Sequence, residues 1–423
     1  MAVRKREQTY RPRVLDSVLR DRLSSSGAIL LEGPKACGKT FTAEQVTASQ
    51  VYLDLDRAAR DAIRVDPQLV LSAAPPQLID EWQLEATAVW NYVRDEANRR
   101  AAKGQFVLTG SALPDDDAAR HTGAGRIARL RMRPMSLYES GESTGAMSLA
   151  ALLSGERPTS KVTSLTVADL VDLVVRGGWP MNLDLPVPAA AQANRDHLKN
   201  ISEVDIFRVD PGRDDPLRAT RLLRALARNV AMDHKVARLA HEADGDESPL
   251  ARTTAYDYLK AFDRLMVTEA QPAWSTHLRS RATLRTAART HFVDPSLAVA
   301  AVSASPASLL GDLRAFGYLF ESLVVRDCRI YSDPIDGSVY HYRDSDDLEV
   351  DIVVATPNAW GAFEVKLGVS QVDEAANSLL TFARKVDTSK VGAPAVLGVI
   401  TGTGYGYERE DGVMVIPVGA LGA

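Results

Sequence analysis

The sequence predicts an α/β protein in three parts, and three observations predict it. A glycine-containing loop near the N-terminus sits between an apolar run and a helical stretch. Two later apolar runs end in acidic or small polar residues, the pattern of buried parallel strands that present side chains at their tips. The last third holds strand-like runs with carboxylates set inside apolar neighbours.

The loop is Gly33-Pro34-Lys35-Ala36-Cys37-Gly38-Lys39-Thr40, preceded by Ala28-Ile29-Leu30-Leu31 and followed by a helical Phe41 to Val46. Strand, G-x-x-x-x-G-K-T, helix is the context of a phosphate-binding P-loop. Glycines at both ends let the backbone curl so that successive N–H groups converge on one anion-sized hollow. Lys39 is expected to reach the terminal phosphates and the Thr40 hydroxyl to hold Mg²⁺. The flanking elements favour this over a chance glycine turn with a surface lysine.

An amphipathic helix is expected over Arg11 to Leu23, with Val14, Leu15, Val18 and Leu19 on one side. Val51 to Leu55 reads as a short strand. Pro76-Gln77-Leu78-Ile79-Asp80-Glu81 is an apolar run ending in two carboxylates, expected to lie beside the P-loop strand. Asp80 would hold Mg²⁺ through water, and Glu81 would polarise an attacking water as general base. A charged helix from Ala86 to Lys103 leads into Gln105 to Ser111, a third parallel strand able to offer a hydroxyl to the γ-phosphate. Ile127 to Pro134 alternates arginine and apolar residues, as an edge strand with one solvated face does. Arg126 before it is a candidate cis or trans arginine for the phosphates, against a plain surface role.

Glu142 to Lys161 reads as a linker around a short helix, and Val167 to Arg176 as a helix stopped by Gly177-Gly178-Trp179-Pro180. Helices follow over Leu217 to Met232 and from a Thr253-Thr254 cap through Met266. With Val267 to Ala270 and Thr290 to Val293 as strands, they resemble a winged helix whose wing is Ser275 to Arg281. Arg279, Arg281, Arg285 and Arg289 form a basic stretch, suited equally to nucleic acid or to a solvated surface.

In the last third Leu313 to Ile330 is an amphipathic helix carrying Glu321, followed by strands at Val339–Arg343, Glu349–Val354 and Trp360–Lys366. Alternation puts Glu364 and Lys366 on one face, and a hairpin brings Asp351 beside Glu364. With Glu321 closing the site, three carboxylates and a lysine can hold Mg²⁺ and orient a water for phosphodiester hydrolysis. The competing reading is a helix-capped sheet with an ordinary Glu–Lys pair.

Composition sets the remaining bounds. The 423 residues exceed one ordinary core, and the parts are expected at 1–145, 160–292 and 293–423. Fifty basic against fifty-five acidic residues give a net charge of −5, which does not advertise nucleic-acid binding overall. Two cysteines, Cys37 and Cys328, support neither a disulfide framework nor a zinc site and fit a reducing cytoplasm. No apolar stretch suits a membrane span, and no apolar segment follows Arg4-Lys5-Arg6 to make a secretory signal.

These motifs together resemble a prokaryotic family of P-loop ATPases that pairs an AAA-type core with a C-terminal DUF4143 region. The resemblance is carried by GPKACGKT, LIDEWQ, VLTGSA, Arg126 in GAGRIARLRMRPMSLYE, Gly177-Gly178-Trp179-Pro180, HFVDPSLA and YLFESLV…EVDIVV…FEVK. It implies ATP and Mg²⁺ at Gly33 to Thr40 and Asp80-Glu81, with Thr109 or Ser111 as sensor. It also implies a restriction-endonuclease-like C-terminal fold with a PD-(D/E)xK-like site at Glu321, Asp351, Glu364 and Lys366. Trp179 stands where the family pattern has Tyr or Phe. The expected function is Mg²⁺-dependent ATP hydrolysis coupled to conformational change, with DNA, a protein partner and a second copy of the chain as candidate partners. The alternatives are an ATP-gated nuclease and a non-cleaving regulatory switch.

Overall fold

The computed structural model describes residues 10–111, 125–160, 165–210, 212, 215–233, 235–244, 250–275 and 287–423. The chain forms two compact units, Met1–Met132 and Arg133–Ala423. The expected second and third parts both fall within the second unit.

The first unit is a five-stranded parallel sheet in the order β2-β3-β4-β1-β5. Its strands are β1 Ala28–Glu32, β2 Ser49–Tyr52, β3 Gln77–Asp80, β4 Phe106–Gly110 and β5 Ile127–Arg131. Its helices are α1 Leu15–Ser25, α2 Lys39–Glu44, α3 Arg57–Val65, α4 Gln68–Leu71 and α5 Ala86–Arg99. The central strands are buried along their length because helices cover the sheet, which explains their unbroken apolar runs. Val89, Trp90 and Val93 of α5 pack with Ala28, Leu30, Ile79 and Leu108, and Trp82 lies against Trp90 at 5.3 Å between ring centroids. One expectation is corrected: β3 does not adjoin the P-loop strand, because β4 pairs with both and lies between them. β5 occupies the sheet edge as its alternating pattern predicts.

The second unit begins with β6 Met147–Ser148 and α6 Leu149–Leu153, then α7 Val167–Arg176, α8 Val187–Asn200 and α9 Ile206–Val209. Next come α10 Pro216–Arg228, α11 Val236–Asp244 and α12 Arg252–Arg264, which pack on one another. The antiparallel pair β7 Thr268–Gln271 and β8 Arg289–Phe292 follows. Most of the expected wing, residues 276–281, lies outside the described residues, as do Arg279, Arg281 and Arg285. The Thr253-Thr254 cap is also corrected: α12 starts at Arg252 after Ala251, so both threonines sit inside its first turn.

After α13 Pro295–Ala301, α14 Pro306–Gly311 and the long α15 Leu313–Ser332 comes a six-stranded mixed sheet, ordered β13-β14-β12-β11-β10-β9. Its strands are β9 Ser338–Arg343, β10 Glu349–Ala355, β11 Trp360–Lys366, β12 Val396–Thr401, β13 Tyr407–Glu408 and β14 Met414–Pro417. Helices α16 Val372–Lys385 and α17 Thr388–Val391 precede β12, and β15 Leu421–Gly422 returns to pair with β6. The Ala375, Ala376, Leu379 and Phe382 stripe of α16 packs on Val353, Ala362 and Val399, while α15 also lies on β9, β10 and β11.

Three motifs of the sequence meet in one buried knot of this unit. Gly178 N–H donates to Asp294 Oδ2 (2.9 Å), and the Trp179 indole N–H donates to Ser296 Oγ (3.0 Å). Asp294 pairs with Arg326 at 2.7 Å, Arg326 pairs with Asp327 at 2.7 Å, and Asp327 accepts Leu137 N–H at 3.0 Å. Buried charges survive only when paired in this way, and the network ties the segments that carry these motifs together. Among the described residues no helix is long and apolar enough to cross a membrane.

Candidate functional site

The loop between β1 and α2 is shaped by two glycines. Gly38 has φ +105°, a left-handed conformation that a side chain disfavours, and a Cβ on Gly33 would stand 2.3 Å from Met132 O. Ala36 at φ +64° adds a second left-handed residue, so the chain turns tightly around Cys37. The Lys39 ammonium crosses the loop and donates to Gly33 O (2.9 Å) and Pro34 O (2.8 Å). Lys39 is only 7% exposed and pairs with no carboxylate among the described residues.

Asp80 ends β3 and is level with Thr109 across the parallel pair β3–β4. The hydroxyls of Thr40 (3.0 Å) and Thr109 both donate to Asp80 Oδ1. Burial pushes the Asp80 carboxyl above its ordinary range, against the hydrogen bond from Thr109. Glu81 follows at φ +53°, and its Oε2 accepts from Gln83 Nε2 and from Ser111 Oγ at 3.2 Å. Thr109 and Ser111, the expected sensors, therefore contact Asp80 and Glu81 respectively.

This donor set fits a magnesium nucleotide. A hard cation takes oxygen ligands, and Thr40 and Asp80 supply a hydroxyl and a carboxylate already in contact. Lys39 is held by neutral carbonyls that an anionic phosphate can replace. Arg126 is not part of this arrangement. Its backbone carbonyl accepts Ala28 N–H, which puts it at the start of β5, beside the beginning of β1. The loop leaves the other end of β1, about 16 Å away at ~3.3 Å per residue. The Arg126 side chain donates to Asn98 Oδ1 at 2.9 Å on the surface, so the cis role is corrected.

The second group of expected residues lies in the second unit. The antiparallel register pairs Ile352 with Phe363, so one step further Asp351 stands opposite Glu364. An irregularity between Val350 and Val353 in the β9–β10 pairing turns Asp351 out of that ladder, and its Oδ2 accepts Val365 N–H at 2.9 Å. Lys366 Nζ lies 2.6 Å from Glu364 and 3.5 Å from Asp351. Glu321 of α15 comes to the same cluster, but through a residue expected elsewhere.

That residue is Arg289, assigned by sequence to an exposed basic stretch and here only 4% exposed. Its guanidinium lies 3.2 Å from Glu321, 2.8 Å from Glu349, 3.9 Å from Asp351 and 3.6 Å from Asp233. The solvated and nucleic-acid readings of Arg289 are corrected, because burial requires its charge to be paired. Burial, then the neighbouring Asp351, pushes Glu364 up to about 8 and raises Glu321 well above the usual carboxylate range. Among the described residues no three His, Cys, Asp or Glu side chains form a group able to hold a metal ion.

Sequence reasoning missed Arg289, Glu349 and Asp233 in this cluster, since no spacing connects strand β8 with α15 and β10. It also missed Gln83, although that residue lies inside LIDEWQ.

A parallel sheet ordered 2-3-4-1-5, with a P-loop after the strand that β4 and β5 flank, defines an AAA-type P-loop nucleotide-binding domain. In agreement, residues 25–141 match the AAA domain family. Residues 167–308 match the domain of unknown function DUF8612, and residues 316–421 match the domain of unknown function DUF4143. No curated protein matches the chain. The Walker-type ATPase PABY2304 of Pyrococcus abyssi is loosely similar in structure, at 12% identity and a TM-score of 0.37, over 70% of this chain and 97% of that one.

Proposed function

We propose that the first unit hydrolyses ATP with Mg²⁺ and that the chain couples this to conformational change. The observation that supports it best is the Thr40–Asp80 contact of 3.0 Å beside a lysine held only by loop carbonyls. Bound Mg²⁺ supplies charge neutralisation across the phosphates. Lys39 and the loop N–H groups bind the phosphates, Thr40 and Asp80 hold the cation, and Glu81 orients and deprotonates the attacking water once released from Gln83 and Ser111. Thr109 keeps Asp80 in place. Phosphate release measured with ATP and Mg²⁺ tests the reading; a chain that binds ATP but releases no phosphate under any condition sinks hydrolysis and leaves a nucleotide-binding switch. A mass measurement in solution with ATP and Mg²⁺ tests whether a second copy joins.

A second reading, an ATP-gated nuclease acting on DNA through the three-helix and β7–β8 segment as a winged helix, is favoured by one observation. Asp351, Glu364 and Lys366 share a face of the mixed sheet, at the spacing of a D…E-x-K pattern. Arg289 weighs against it, since it already supplies the cluster with a cation. Plasmid nicking that disappears in Lys366→Ala while phosphate release persists supports this reading; an intact plasmid with wild-type protein and Mg²⁺ or Mn²⁺ removes it.

A further inference from the structure

The segment before α1 is tied to the P-loop by buried polar contacts. Arg13, only 7% exposed, donates from Nη1 to Cys37 O at 3.0 Å. Its backbone N–H donates to Asp16 Oδ2 at 2.9 Å, fixing the residue at the entry to α1. The Tyr10 hydroxyl donates to Asp16 Oδ1 at 2.5 Å, and with its one proton so used it accepts from Thr42 Oγ1 at 3.1 Å. One short segment therefore grips the loop at Cys37 and helix α2 at Thr42.

The grip on Cys37 has a direct stereochemical result. In a trans peptide the carbonyl of one residue and the N–H of the next point in opposite directions. Arg13 pulls the Cys37 carbonyl inward, and the Cys37 thiol is also turned inward, 3.7 Å from Met132 O. The Gly38 N–H of the same peptide is thereby directed away from the interior. The left-handed Ala36 and Gly38 on either side let that peptide hold this orientation.

We propose that Arg13 is a positioning residue for phosphate binding, holding the Cys37–Gly38 peptide so that the Gly38 N–H meets the diphosphate portion of a nucleotide. This rests on the nucleotide reading of the loop but not on hydrolysis. Arg13 acts through the peptide, with its guanidinium on the carbonyl side of it.

The two cysteines make Cys37–Gly38 the chain's only cysteine–glycine step. Protein carrying carbonyl-¹³C cysteine and ¹⁵N glycine therefore reports that peptide as a single amide signal. Saturating inorganic pyrophosphate is expected to shift this signal in the wild-type chain, and an unmoved signal with pyrophosphate bound overturns the inference without any variant. Arg13→Met is expected to move the signal before ligand is added and to raise the Kd for pyrophosphate and ADP alike by about tenfold, as loss of an oriented donor to a charged phosphate should. In turnover the KM should rise with kcat held. Arg13→Lys, which keeps a charged donor, should return the Kd to within about threefold of wild type. An unchanged Kd in folded Arg13→Met, or equal losses in both variants, overturns the assignment; if Arg13→Met does not fold, the wild-type signal and Arg13→Lys decide. A chain that binds pyrophosphate with the expected shift and never hydrolyses ATP defeats hydrolysis alone. Hydrolysis untouched by Arg13→Met defeats this inference alone.

Discussion

The two acidic sites of this chain are held by opposite means. In the first unit Lys39 and Asp80 are satisfied by neutral groups: the carbonyls of Gly33 and Pro34, and the hydroxyls of Thr40 and Thr109. In the second, Glu321, Asp351 and Glu364 are satisfied by cations, Arg289 and Lys366. A hydrogen bond between a charged group and a neutral partner is worth about 1.5–3 kcal/mol net, and a ligand with full opposite charge competes with it. Breaking a buried ion pair by removing one partner costs about 3–5 kcal/mol. The first site is therefore built to exchange partners, and the second to keep the ones it has.

The sharpest way to break the comparison is Glu81→Gln, which removes the proposed base and leaves the proposed phosphate- and cation-binding groups. Turnover should fall by about 10²–10⁴ while ATP still binds. Turnover at the wild-type rate would take Glu81 out of the reaction. Next is Lys39→Ala, which exchanges an ammonium for nothing. Nucleotide affinity measured by calorimetry should drop on the order of a hundredfold with the fold intact, since within the protein the change removes only two hydrogen bonds to neutral carbonyls.

In the second unit the expected cost appears in stability. Arg289→Met should destabilise that unit by about 3–5 kcal/mol in a urea titration, because it takes the nearest cation from buried Glu321 and leaves Asp351 with Lys366 alone. Nucleotide affinity should stay at the wild-type value. A small loss would mean that the cluster tolerates an absent cation and is more open than its burial indicates.

A pH series gives a smaller effect. Glu364, held near 8 in the folded chain, binds a proton that the unfolded chain releases near 4.3. Between these values the folded state holds more protons, so stability falls as pH rises from about 5 through 8. The stabilisation that wild type gains over Glu364→Gln, read as the difference in melting temperature, should shrink as pH rises over that window. The smallest effect expected is that of Arg126→Ala, whose turnover in the isolated chain should change less than about twofold, as for a surface group away from the chemistry.

The two sites also differed in how far the sequence disclosed them. The P-loop was legible because all its parts are local. Gly33 to Thr40 are contiguous, and their geometry follows from glycine's freedom at φ > 0 and the flanking apolar runs. Asp80 and Glu81 were legible as the end of a buried strand. What was misread was adjacency, since strand order is a long-range choice. β4 inserts between β1 and β3, and only then does Thr109 face Asp80.

In the second unit, period-two alternation determined that Glu364 and Lys366 share a face, and the short β10–β11 connection determined that Asp351 stands near them. The nature of the cluster was decided by tertiary structure alone. Arg289 lies over thirty residues from Glu321 and about sixty from Glu349 in the chain, and its own neighbours made it look exposed. The fold buries its side chain among Glu321 of α15 and Glu349 and Asp351 of β10, and a buried guanidinium must find carboxylates. The same holds for Arg13, whose carbonyl partner Cys37 is 24 residues away. By itself the sequence determined the chemistry of the loop, the periodicity of the strands and the identity of the charged side chains. Which charges would meet was left to the fold, because charge pairing over such separations depends on which surfaces burial brings together and not on local spacing.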